Sequence, residues 1–359
     1  MKIIFNYVLL KSLYIFFLIL SLNIFFFSTA NVKAKTYNVD NIEISRPFKI
    51  NFDKNDVIDE GFNKAFSQLI LSLIKHSDQK KIDQIKLNQI KSMIETFSIK
   101  EEKFIDDIYY VKLGVTFNKQ KIFDYLEANN IFPSIPIKEK FLFIPIIIDE
   151  NTKDLLIFSN NKIFEKWNEN KENYHLIEYI LPTEDLEDIN IIKKNYENIE
   201  EYEFKEITNK YFLKNSIITL IFNNEDGLRV LSKITIKKNK NIKNQSFSKI
   251  DFNNPDQVDS LIQELKVLYE DSWKQSNQIN TSIKLQLNIK IDSSKSELIS
   301  NFEKNLSKKD LIYNYSISKF DQNFIFYKII FNGTPDIFLK MMNNENYYFN
   351  KDDKFWILK

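Results

Sequence analysis

The chain has 359 residues, with 50 lysines and arginines against 49 acids, no cysteine, two histidines and four glycines. Without cysteine it can build no disulfide framework, thiolate nucleophile or cysteine-ligated zinc or iron–sulfur site. Its four glycines (Gly61, Gly114, Gly227, Gly333) lie too far apart for a dinucleotide-binding turn or a Walker A loop, and no cofactor is implied. The balanced charge supplies no basic field, and arginine occurs only at Arg46 and Arg229. Both facts argue against a nucleic-acid partner, which needs such a field and the planar guanidinium fork.

Residues 1–34 read as an export signal. Lys2 and Lys11 form a positive flank, residues 13–22 are apolar, Asn23 interrupts, and residues 24–27 are apolar again. Small residues then precede two cleavage points, after Ala30 and after Ala34, of which Ala34 is favoured. The alternative is an uncleaved anchor, which would hold the protein in the inner membrane and be its sole membrane contact. Absence of cysteine removes a lipid-anchored form.

The remaining chain predicts an α+β protein of mixed α/β content in three units, at residues 35–136, 137–280 and 281–359. The first, helix-rich unit opens with an extended stretch at 37–50. A helix follows, with Ile58, Phe62, Ala65, Phe66, Leu69, Ile70 and Leu73 on one stripe. A second helix carries Ile85, Ile90, Met93, Ile94 and Phe97. Residues 108–117 read as a strand, and Asn118 caps a short helix. Asn129, Asn130, Pro133 and Pro136 close the unit.

The central unit begins with the continuous apolar run 141–148, a strand buried on both faces with Pro145 at an edge or bulge. Strands at 155–158 and 176–181 flank a short helix around Phe164 and Trp167. Two more, at 217–222 and 228–236, join through an Asp226-Gly227 hairpin turn. Such alternation of strands and helices implies some parallel pairing. A long helix with N-cap Asn254 and Pro255 at its first position should lie across the sheet through Val258, Leu261, Ile262, Leu265 and Leu268.

The C-terminal unit reads βαββαβ, the order of a ferredoxin-like fold. Ile283, Leu285, Leu287, Ile289 and Ile291 alternate as a half-buried strand, and residues 294–297 form a capping box before a helix. Strands at 311–317 and 324–331, a helix from Thr334-Pro335 and a strand at 355–358 complete it. Phe324, Phe326 and Tyr327 pack in the core or present an apolar sheet face to a partner.

Chemistry-bearing residues are few. His76 and His175 lie far apart and have no HExxH spacing; a cation at a helix C-terminus accounts for His76. Glu184, Asp185, Glu187 and Asp188 follow a strand end. Acids in the first turn of a helix capped by Thr183 are what the helix dipole favours. The other reading makes Glu184, Asp185 and Asp188 cation ligands, or Asp185 and Glu187 an acid–base pair with Asp149 at the end of the buried strand.

A set of local features runs from Tyr37 to about Asp226. It comprises Tyr37-Asn38-Val39, the helix around Ala65, Tyr110-Val111 to Val115-Thr116-Phe117, residues 122–131 with Pro133, the strand 141–149, and Leu181-Pro182 with Asp185-Leu186-Glu187-Asp188. It resembles the domain-of-unknown-function 2066 family of exported bacterial proteins. The resemblance implies a cell-envelope location and transfers no catalytic residue. By fold analogy, the central unit is similar to α/β domains of periplasmic assembly proteins such as the amino-terminal domain of TolB. The expectation is a periplasmic, non-enzymatic factor that binds an envelope protein through sheet edges or grooves. The alternative is a carboxylate-dependent hydrolase at the strand ends of the central sheet.

Overall fold

A computed structural model describes residues 35–169, 174–351 and 354–359. The expected export segment lies outside them. The described chain is α+β and contains three sheets. No helix among the described residues is long and apolar enough to cross a membrane.

Strands β1 (Thr36–Pro47), β2 (Ile94–Ile105) and β3 (Ile108–Asn118) form an antiparallel sheet in the order β1-β3-β2. Helix α1 (Lys54–Leu73) starts where the Asp53 carboxylate accepts the Asn55 N–H, and it buries the expected stripe apart from Ile58, which is half-buried. That stripe packs on alternate residues of β3, from Tyr109 through Leu113 to Phe117. Gly61 lies close under β3, where an added β-carbon would press on the end of the Leu113 side chain. The second predicted helix is much shorter than its apolar residues suggested: α2 spans only Leu87–Met93, and Ile94 already belongs to β2. Nearly all of β2 is exposed, so it lacks the one-sided alternation that marks a half-buried strand. Helix α3 (Lys119–Ala128) is capped as expected by Asn118, whose side chain accepts the Lys121 N–H at 3.1 Å.

The central sheet contains β4 (Glu139–Asp149), β5 (Asp154–Leu156), β6 (Ile177–Ile180), β7 (Ser216–Asn223), β8 (Leu228–Ile236) and β9 (Asn239–Phe247), ordered β5-β4-β7-β8-β9. Strand β4 runs parallel to β6 and β7. Its alternate residues face two cores. Phe141, Phe143 and Ile147 pack toward helices α4 (Lys162–Lys166) and α7 (Pro255–Ser276), while Leu142, Ile144, Ile146 and Ile148 pack toward α5 (Leu186–Lys194) and α6 (Lys205–Thr208). Two buried faces explain the unbroken apolar run. Strands β6 and β5 share one edge of β4, pairing with residues Glu139 to Leu142 and Ile147 to Asp149 respectively. Pro145 sits in the gap between them, where a missing N–H costs no ladder bond. Its carbonyl accepts the Asn161 amide at 3.0 Å.

The β7–β8 turn is held by Asn224, whose side-chain oxygen accepts the N–H groups of Asp226 and Gly227 at 3.0 Å. Gly227 adopts φ +153°, and a β-carbon there would lie 2.6 Å from the Phe247 carbonyl oxygen. That oxygen is backbone within β9 and cannot rotate away. Gly227→Ala is therefore expected to cost about 2 kcal/mol in chemical denaturation, with Asp226→Ala nearly neutral.

The third sheet follows β10 (Leu285–Asp292), α8 (Ser296–Lys308), β11 (Ile312–Phe320), β12 (Phe324–Phe331), α9 (Pro335–Asn343), β13 (Phe349–Lys351) and β14 (Trp356–Leu358), in the order β11-β12-β10-β14-β13. Here the ferredoxin-like expectation is corrected: β14 lies parallel to β10 and carries β13 on its outer edge. A split βαββαβ unit closes instead on an antiparallel strand. The terminal hairpin reverses the chain once more, so the last strand enters in the opposite sense. The predicted capping box also gives way. Lys295 precedes the helix without a side-chain cap, and Ser294 donates its hydroxyl to Asp292 at 2.6 Å, the competing local bond that short polar side chains make.

The first and third units meet along α3. Tyr313 donates to Asp124 at 2.7 Å and Lys284 to Glu127 at 2.9 Å. Lys35 donates to the carbonyls of Lys309 and Ile312, and Lys119 to the Asp310 carboxylate.

Candidate functional site

The predicted acids fall into separate places. Asp185, rather than Thr183, caps α5 by accepting the Glu187 N–H at 2.8 Å; the Thr183 N–H donates to Tyr211. The Lys210 ammonium bridges Asp185 at 3.2 Å, Glu187 at 3.0 Å and Asp188 at 2.8 Å. Hydrogen bonds to these acids, Asp188 first, raise the Lys210 pKa, and the Glu187 amide followed by Lys210 lowers that of Asp185. Glu184 accepts the Ser159 hydroxyl at 3.0 Å. Asp149 accepts the amides of Asn151 and Thr152 and the side chain of Asn223, bonds that lower its pKa, Thr152 foremost. Thus Asp185, Glu187 and Asp188 converge on a lysine, while Asp149 and Glu184 stabilise a turn and a loop. Among the described residues no group of His, Asp and Glu could hold a metal ion. Saturating calcium or magnesium is expected to leave the melting midpoint unchanged, because the Lys210 ammonium already occupies the place between these acids; a raised midpoint would show that a cation displaces it.

The ends of β4 and β7, the expected place for a strand-end site, border a hollow of about 250 Å³ lined by Glu150, Glu197, Glu200 and Glu201. Arg229 lies over the Phe222 ring at 3.9 Å and binds Glu200 through two bonds of 2.6 and 3.2 Å. Its fork is fully committed to that carboxylate.

Sequence reasoning passed over a row of charges on α7. Lys266, Glu270 and Lys274 recur at four-residue steps and are all buried. Glu270 accepts the N–H groups of Leu176 and Ile177 at 2.9 to 3.1 Å, so it caps the entrance of β6. Lys274 donates to the Leu71 carbonyl at 2.6 Å, in the last turn of α1. Burial, then Lys266 and Lys274, push His175 down to about 4, leaving it neutral at pH 7. The i, i+4, i+8 spacing was the available signal, hidden because it reads equally well as a solvated face. The row clamps backbone ends from two other elements, which is an architectural task.

The uncovered face of the first sheet has a different character. Pairing register places Glu43, Lys112 and Glu101 in one cross-strand row and Ser45, Tyr110 and Lys103 in the next. These rows line a groove of about 380 Å³. Beyond it the β2–β3 hairpin turns through Asp106 and Asp107, both with positive φ, the backbone of a type I′ turn. Ile105 is half exposed on the groove side there, while Phe48 and Phe104 meet edge to face at 5.3 Å on the opposite face, where Phe104 lies against Tyr109. The face carries paired charges and ends on one exposed apolar residue, Ile105, and it has room for a chain-like ligand. No protein-family model matches the chain, and no curated protein sequence matches it significantly.

Proposed function

We propose that the protein is a non-enzymatic binding or assembly factor of the bacterial cell envelope, which holds a protein partner on the uncovered face of its first sheet. The envelope placement rests on the export-signal reading of residues 1–34. The observation that carries the binding role is the groove beside β2, with two charged cross-strand rows along it and half-exposed Ile105 at its end. Charged rows fix register and orientation, and an apolar end supplies desolvation, the division of labour common in recognition surfaces. The carboxylates that a hydrolase would need are engaged by Lys210, by backbone amides and by Ser159.

A photo-crosslinking side chain placed at Tyr110 in the full chain tests this. A discrete protein adduct is expected at Tyr110 and not at Asn63, an exposed position on α1. Lys112→Glu should weaken that adduct. Equal, diffuse labelling at both positions would overturn the proposal.

A further inference from the structure

We propose that strand β9 is a second docking site, independent of the groove, where an acidic, extended polypeptide segment adds to the free edge of the central sheet. The first support is a comparison of edges. Folded proteins blunt exposed strand edges by bulges, shortness, proline or charge. Among the described residues, β1, β2 and β11 each break register at least once against their partners. Strands β5 and β13 have three residues each and β6 has four. Strand β9 has nine, pairs residue for residue with β8 from Phe247 to Asn239, and contains no proline. It is the last strand in its sheet, so its outer edge has no strand partner among the described residues. An unbroken row of outward N–H and C=O groups is what strand addition requires.

The second support is charge. In a chain balanced at 50 to 49, the segment between Asp226 and Asp251 carries seven basic residues and no acid. Arg229 and Lys240 are engaged, with Glu200 and Glu203 respectively, and Lys233 donates to the Tyr202 carbonyl. Lys238 and Lys243 have no acidic partner among the described residues. Lysine at an edge repels a second copy of the same strand, so these residues exclude self-association while admitting a strand of opposite charge. Register fixes the geometry. Lys243 lies opposite Ser232 on the face toward α7, and Ile242 lies opposite Lys233 on the other face, 63% exposed. The favoured occupant thus carries acids toward Lys238 and Lys243 and one apolar side chain against Ile242.

The test uses the full chain and a synthetic peptide of about ten residues alternating aspartate with valine. Binding should protect β9 amides from hydrogen exchange, weaken with added salt, and fall about tenfold or more in Lys238→Glu/Lys243→Glu. Lys238 is exposed and Lys243 half-buried, and neither has an acidic partner among the described residues, so this variant should fold, as its unchanged melting midpoint will show. A version of the peptide N-methylated at alternate amides keeps its charge but cannot complete the ladder, and it should fail to bind. Undiminished binding of the N-methylated peptide, equal binding of a lysine-valine peptide, protection outside β9, or no binding by the acidic peptide would each overturn the proposal. Loss of the Tyr110 adduct leaves it untouched, since that adduct reports on a different sheet.

Discussion

Glu270→Ala is expected to lower the unfolding free energy by about 3 to 5 kcal/mol, measured by urea denaturation at neutral pH. The carboxylate is 4% exposed and accepts two consecutive amides at the start of β6. Truncation leaves both amides buried without an acceptor, and each such group costs about 1 to 3 kcal/mol. It also leaves Lys274 without the neighbouring negative charge that favours its protonated form, against the effect of burial. Burial raises the Glu270 pKa despite those amide bonds. The carboxylate is therefore retained at a desolvation cost. Glu270→Gln retains an acceptor oxygen and should recover most of the loss. If alanine and glutamine variants both unfold at the wild-type midpoint, β6 is held by its pairing with β4 alone.

Lys35→Met is expected to flatten the rise in stability on the alkaline side of neutrality. The Lys35 ammonium is withdrawn from water at the junction of β1 with the α8–β11 loop. Burial, and then Lys119, push it down to about 7, against a smaller pull from Asp310. In the unfolded chain the same group titrates near 10.5. Between those values the unfolded state binds the extra proton, so stability rises with pH from about 7 toward 10 and is lost again as pH falls through 7. Lys119 is shifted in the same direction by burial and adds to the rise. Buried tyrosines such as Tyr37, whose pKa is raised, oppose it above pH 10. Lys35 should account for about 2 to 3 kcal/mol across the window. Denaturation at pH 7, 8.5 and 10 measures the slope in both proteins. Identical slopes would assign the effect to other lysines.

Much of the architecture was legible residue by residue. The α1 stripe, the Asn118 and Asn254 caps, the doubly buried β4 and the alternation through Leu287, Ile289 and Ile291 all stand where their patterns place them. Each is a case in which local periodicity and burial coincide. The strands that escaped, β2, β9 and β13, are exposed or very short. Their conformation comes from a neighbouring strand rather than from their own side chains, so no hydrophobic period records it. The acids were visible as a cluster, but their role depended on Lys210, more than twenty residues away in sequence and silent in any local pattern.

Composition alone excluded thiol chemistry, cysteine-built metal centres and glycine-rich phosphate loops, and those exclusions follow from inventory without reference to shape. Periodicity then fixed the α+β class, because burial of one face leaves a period in the chain. Tertiary structure decided what no period encodes. It settled which edges stay open, that β14 enters parallel to β10, that the carboxylates meet a lysine, and that a basic hairpin presents an unbroken strand edge. These are relations between distant segments, set by pairing register and by charges brought together only when the chain closes on itself.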